Sequence, residues 1–213
     1  MSSLLLELDL TNCPVLLVGL GAVGRRRLQM LVEAGAWVRV IEPRTLKSEC
    51  AATLPQTVTL VQASYDASQL AGVRLVFAAA MPEVNRRVAE DAQRLGIWVN
   101  VASEPSAGTL RVPAHWRDGT VQLAVTTGGA SPSLAALVRT RAAEAIGPTP
   151  GKLAALLAEL RPLVMARVAD PQVRAVLFRR WAGPEWLDRI QHDGVQVVRQ
   201  TMVEEIGRTD LGV

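Results

Sequence analysis

The sequence predicts an α/β fold, with an N-terminal parallel sheet followed by a short connecting segment and an all-helical C-terminal domain. Three observations carry this. Apolar strand-type runs alternate with helical periodicity as far as Ser103. A cluster of glycines closes the first of those strands and opens a helix. Beyond Gly151 the apolar residues recur only at helical spacing. Strands alternating with helices imply parallel pairing through right-handed crossovers.

Taken in order, "LLLELDL" (4–10) reads as an early strand, and "VLLVG" (15–19) as a buried one. A helix is expected from about Ala22 to Ala34, with Val23, Leu28, Leu31 and Val32 on one face and Gly35 ending it. "WVRVIEP" (37–43), "VTLVQA" (58–63), "VRLVFAAA" (73–80) and "IWVNVAS" (97–103) follow as strands. "PEVNRRVAEDAQRL" (82–95) is a helix between the last two, its proline suited to the first turn. After Pro105, "GTLRVPAHW" and "TVQLAVTT" flank "RDG", the signature of a hairpin. Ser131-Pro132 opens a helix whose apolar side is read as Leu134, Leu137, Val138 and Ile146. "GPTPG" (147–151) reads as a linker. The next helix carries Leu153, Leu156, Leu157, Leu160 and Val164, with a kink expected at Pro162. Asp170-Pro171 and Gly183-Pro184 start further short helices.

The totals exclude several classes. The 213 residues are 49% hydrophobic, with mean hydropathy +0.21, which places the chain among folded globular proteins. No apolar run reaches the roughly 18 residues of a membrane span. The amino end has no basic region and contains acidic residues, unlike a signal peptide, so a cytoplasmic location with no membrane partner is expected. The 23 basic and 20 acidic residues leave a net charge of +3, and aromatics are only 4% of the chain. That balance argues against a nucleic-acid partner. Cys13 and Cys50 make neither a metal spacing nor a disulfide framework, and no metal site is expected.

Gly19-Leu20-Gly21-Ala22-Val23-Gly24 matches G-x-G-x-x-G in the required context, after a strand and at a helix start. This is the Rossmann-type arrangement, with the dinucleotide pyrophosphate at the helix N-terminus. Glu42 stands 18 residues past the last glycine, at the end of the next strand. Its carboxylate suits the ribose hydroxyls and repels a 2′-phosphate, which favours NAD over NADP. Arg25, Arg26 and Arg27 follow the glycines at once. Cations are mildly unfavourable at a helix N-terminus, by roughly 0.3–1 kcal/mol each. Successive helical residues point about 100° apart, so either most of the three are solvated or some meet an anionic substrate.

The chain resembles the precorrin-2 dehydrogenase module of siroheme synthases, a family with stand-alone dehydrogenases and versions that also insert iron. The resemblance rests on "VLLVGLGAVGRRRLQMLVEAGAWVRVIEP", the "PEVNRRVAEDAQRLGIWVNV" block and "LAVTTGGASPSLAALVRTRAAEAI". It implies an NAD-binding Rossmann domain (1–110), a dimerisation segment (111–147) and a helical C-terminal domain (148–213) in a homodimer. It further implies NAD as cofactor and oxidation of precorrin-2, a tetrapyrrole rich in carboxylates, to sirohydrochlorin. The cofactor-binding residues so expected are Gly19, Gly21, Ala22, Val23, Gly24, Glu42, Pro43, Arg44, Ala79 and Asn100.

The departures from the family pattern bear on chemistry. Where the family has a Val-Asp pair after "VNV", with the Asp proposed as catalytic base, this chain has Ala102-Ser103-Glu104. A serine hydroxyl is no base without an activating partner. The catalytic candidates are therefore Ser103 itself, the neighbouring Glu104, and His115, one of two histidines. A lone histidine such as His115 is more often structural or merely exposed. Ala79-Ala80-Met81 replaces a Thr-Asp-Asp common in the family, while Asn85 and Asn100 remain as polar groups. Thr127 replaces a serine in a turn that reads either as an anion site or as a structural loop at a dimer interface. The expected activity is a dehydrogenase with weak or absent iron-chelatase activity. A bifunctional enzyme and a non-catalytic NAD- or tetrapyrrole-binding protein are the alternatives.

Overall fold

The computed structural model describes residues 3–45 and 54–210. Its backbone divides into two compact units, residues 1–112 and 113–213. Cys50 lies outside the described residues, and Cys13 is a free thiol.

The first unit is a parallel sheet of β1 (Pro14–Val18), β2 (Trp37–Ile41), β3 (Val58–Val61), β4 (Leu75–Ala78) and β5 (Trp98–Val101), in the order β3-β2-β1-β4-β5. β1 is central: Val15 sits beside Val38 on one side and Leu75 on the other. Both faces of such a sheet are covered, which is why β1 and β4 are apolar at nearly every position. Leu16, Val18, Val76, Val88 and Val99 fill one side. Val15, Leu17, Leu28, Leu31, Val40 and Phe77 fill the other.

Two helices serve this sheet among the described residues. α1 (Ala22–Glu33) buries Gly24, Leu28 and Leu31, a stripe at spacings of three and four. α2 (Pro82–Arg94) buries Asn85, Val88, Ala89 and Ala92, with Pro82 and Glu83 in its first turn and Arg94 in its last.

The expected early strand does not form. Residues 3–10 pair with no strand, and Leu4, Leu5, Leu6 and Leu8 are exposed, although Leu10 packs on the core. A turn intervenes before β1, with Asp9 accepting the Thr11 N–H and Asn12 at φ 57. Asn tolerates that left-handed conformation better than most residues.

The second unit begins with the hairpin of β6 (Ala114–Asp118) and β7 (Val121–Val125), antiparallel across Gly119-Thr120. The helices α3 (Pro132–Ile146), α4 (Pro150–Arg167), α5 (Pro171–Trp181), α6 (Pro184–His192) and α7 (Val195–Asp210) follow. Leu156, Leu160, Val164, Trp181, Trp186, Ile190, Val198 and Met202 make one core. Within it the indole N–H of Trp181 donates to Glu205 at 2.7 Å.

The apolar side expected of α3 is exposed: Leu134 is 50% exposed, Leu137 54%, and Val138 and Ile146 are also exposed. Only Ala135 is buried. The linker is also shorter than expected, because Pro150 and Gly151 form the first turn of α4. The Gly151 N–H donates to the Asp118 carboxylate at 2.7 Å, and a side chain at Gly151 would strike the Asp118 backbone. α4 continues through Pro162 to Arg167.

Candidate functional site

The glycine loop joins β1 to α1 where the strand order reverses, between the carboxyl ends of β1 and β4. That crevice is where open α/β sheets bind ligands. Gly19 adopts φ +94, and a Cβ on it would stand 2.6 Å from the Ala79 carbonyl oxygen. The Ala79 N–H donates to the Val18 carbonyl at 2.8 Å, so the loop is pressed against the end of β4. A Cβ on Gly24 would run into the Gly19 carbonyl. By contrast, Gly21 has nothing within 4 Å of where its Cβ would be. Two glycines thus permit close packing, and the middle one leaves open space at the helix end.

Gly21 stands at the N-cap of α1, which has no side-chain cap and no acidic residue in its first turn. Its N-terminal N–H groups and dipole suit an anion. Ala22 is exposed and Val23 half-buried. Arg25 and Arg26 are exposed, whereas Arg27 is half-buried and its Nε has no partner. Burial lowers the Arg27 pKa, with a smaller contribution from Arg26. The open space at Gly21 and the uncapped helix end fit a dinucleotide pyrophosphate.

Glu42 directly follows β2 and is only 3% exposed. Its Oε2 accepts the Leu20 N–H at 2.8 Å, tying β2 to the glycine loop. Arg44 fills the rest, with Nε on Oε1 at 2.7 Å, Nη2 on Oε2 at 3.0 Å and its backbone N–H on Oε1 at 3.2 Å. The Arg44 guanidinium holds the carboxyl down at about 2, against the opposing effect of burial and with help from the Leu20 N–H. Pro43, between them, is exposed.

At the ends of β4 and β5 the organising residue is Asn85, which in the sequence is marked only by its polarity. Asn85 is 1% exposed. Its Oδ1 accepts the Ala80 N–H at 2.8 Å, and its Nδ2 donates to the Ala80 carbonyl at 3.1 Å and to Ser103 Oγ at 3.0 Å. Ser103 therefore does have a partner, but that partner donates and cannot take the hydroxyl proton. Ser103 and Glu104 are both exposed, with Glu104 preceding a short 3-10 turn. Asn100 is buried, and its Nδ2 donates to the Leu110 carbonyl at 3.0 Å. That bond fastens β5 to the returning chain.

His115 belongs to the second unit, exposed on β6, with Nδ1 3.5 Å from the Pro113 carbonyl oxygen. Thr127 Oγ1 donates to the Ser131 carbonyl and accepts the Ser131 N–H, both at 3.0 Å. Ser131 in turn caps α3 by accepting the Leu134 N–H at 3.1 Å. These bonds commit the Thr127 hydroxyl to closing its own turn. Among the described residues no group of three or more His, Cys, Asp or Glu gathers to hold a metal, and no helix is long and apolar enough to cross a membrane.

Comparison with known proteins agrees with this geometry. Residues 6–114 match the family described as putative NAD(P)-binding, and residues 118–141 match the one described as sirohaem biosynthesis protein central. A siroheme synthase of Methylobacillus flagellatus is 34% identical over 179 residues, covering 84% of this chain and 38% of that protein. One from Pseudomonas putida strain W619 is 36% identical over 194 residues, covering 89% and 42%. The chain thus spans about two fifths of the length of these relatives. A solved structure described as SirC, precorrin-2 dehydrogenase, superposes with TM-score 0.77 at 21% identity, covering 97% of this chain and all of that one. The fold is shared throughout.

Proposed function

The chain belongs to the putative NAD(P)-binding family in the form carried by siroheme synthases, and on that premise we propose that it oxidises precorrin-2 to sirohydrochlorin with NAD⁺. The observation that carries the reading is a conjunction in one chain. An open glycine loop at the β1/β4 crevice precedes a segment matched to sirohaem biosynthesis.

Gly19 to Gly24 and the first turn of α1 would hold the pyrophosphate, and Glu42 the adenosine ribose. NAD⁺ when bound supplies the hydride acceptor. The chain's own contribution is positioning, which can supply a large part of such a barrier. The exposed Arg25 and Arg26 offer charge-assisted hydrogen bonds to a substrate fringed with carboxylates. Glu104 and His115 are the candidates to take up the proton released as the macrocycle is oxidised.

Iron insertion is proposed to be weak or absent. Metallation must remove pyrrolic protons, and Ser103 stands where the family has Asp. Its hydroxyl faces an N–H donor, not a base. We further propose a cytoplasmic homodimer that uses the exposed apolar side of α3.

The test is anaerobic incubation with precorrin-2 and NAD⁺, following NADH and the sirohydrochlorin spectrum. Sirohydrochlorin formed with NAD⁺ and not without it supports the dehydrogenase. Stoichiometric tetrapyrrole binding with no NADH formed would instead favour a non-catalytic binding protein, the reading to which Ser103 points. Iron insertion well above the spontaneous rate overturns the chelatase part.

A further inference from the structure

The pairing of Glu42 with Arg44 bears on which dinucleotide the loop accepts. A lone acidic residue at the end of the second strand takes hydrogen bonds from the ribose diol and repels a 2′-phosphate. Glu42 is not alone. An ionised carboxylate offers about four lone-pair directions, and four donors already lie on this one: the Leu20 N–H and three groups of Arg44. A ribose diol reaches the carboxylate only by displacing the guanidinium. The negative charge meant to exclude a 2′-phosphate is also balanced by the positive charge beside it.

The two partners differ in freedom. Glu42 is buried and held by the backbone of the glycine loop. The Arg44 side chain is 69% exposed, and among the described residues its bonds go to Glu42. The guanidinium is therefore the movable member and the carboxylate the fixed one.

We propose that Arg44 determines dinucleotide specificity: its guanidinium binds the 2′-phosphate, so the site accepts the phosphorylated dinucleotide as well as the unphosphorylated one. This rests on the reading of Gly19 to Gly24 as a dinucleotide loop. With NAD the guanidinium swings outward and the diol takes its place on Glu42. With NADP it turns to the phosphate, where a planar fork matches the oxygens in charge-assisted bonds.

The experiment is calorimetric titration of the full chain with NADH and with NADPH, for the unaltered protein, Arg44→Ala and Arg44→Gln, each checked for an unchanged thermal melt. The unaltered protein is expected to bind both. Arg44→Ala should weaken NADPH by about tenfold or more, the loss of one charge-assisted contact, and leave NADH unchanged or tighter. Arg44→Gln, which keeps donors and loses the charge, should follow Arg44→Ala. Binding of NADH without NADPH by the unaltered protein overturns the proposal, as does equal weakening of both nucleotides in Arg44→Ala. Binding of neither overturns the dinucleotide reading itself, and the proposal with it.

Discussion

Glu42 accepts the backbone N–H of Leu20 at 2.8 Å, so the carboxylate at the end of β2 holds the glycine loop that follows β1. Gly19 is fixed from the opposite side by the end of β4. The loop's shape is thus set by three strands, and of its three glycines only Gly21 has nothing within 4 Å of where a Cβ would stand.

The Arg44 guanidinium on Glu42, with help from the Leu20 N–H, makes folding sensitive to acid. Glu42 is held at about 2 in the folded chain, below its ordinary 4.5. A carboxyl depressed by folding stabilises the folded state above its ordinary pKa, and the stability is lost as pH falls through the folded value. Between pH 4.5 and about 2 the protein should therefore lose stability through this group. The loss should be on the order of 1–2 kcal/mol, since the paired guanidinium is mostly exposed and screened by solvent. Urea unfolding across that range should show a shallower dependence in Glu42→Gln.

The glycines should separate binding from folding. Gly21→Ala adds a methyl group to open space, so stability should change by less than about 1 kcal/mol. Dinucleotide affinity should fall on the order of tenfold or more, because that space is where the pyrophosphate would approach. Gly24→Ala meets the Gly19 carbonyl and should cost about 1–3 kcal/mol of stability, as overpacking does. Thermal melts and nucleotide titration of the two variants distinguish the roles.

What the sequence made readable was local. The glycine spacing, Glu42 at a strand end and Pro82 at a helix start are short-range patterns, and each stands in the expected element. What it hid was non-local. Leu134, Leu137 and Val138 have a helical period whether they face a core or a second molecule, so periodicity could not tell that they are exposed. The strand signal in residues 4–10 is local, and whether such a stretch pairs is decided by contacts far along the chain, which no local pattern reports. Asn85 looked like one more polar helix residue, because its bonds reach to Ser103 on the far side of β5. Arg44 gave no sign of its pairing, although a cation two residues beyond an acidic strand end is a signal that can be searched for.

The open side of α3 should govern assembly. Leu137→Asp and Val138→Asp place charge on exposed positions, so the isolated fold should lose little, about 0.5 kcal/mol or less. If a second copy covers this side, each should shift the protein from dimer to monomer, since a buried unpaired charge is costly. Sedimentation equilibrium reads the outcome directly, and an unchanged mass in both variants rejects α3 as the interface.

Replacing Asn85 should be felt at Ser103 as well as in stability. Asn85→Ala leaves the half-buried Ala80 N–H without its partner, at a cost of about 1–3 kcal/mol in urea unfolding. Ser103→Asp is the complementary change. The Asn85 Nδ2 that donates to the hydroxyl at 3.0 Å can donate equally to a carboxylate, so the new group is retained and gains a function serine lacks. A carboxylate there can accept protons from a pyrrole, so iron insertion into sirohydrochlorin should rise above that of the unaltered protein. Dehydrogenation should change less, since in the proposed reaction positioning carries that step. The same two assays on Glu104→Gln and His115→Ala locate the proton acceptor: it is the residue whose loss slows NADH formation without weakening dinucleotide binding. Insertion by Ser103→Asp no faster than by the unaltered chain would show that the hydroxyl is not what limits metallation.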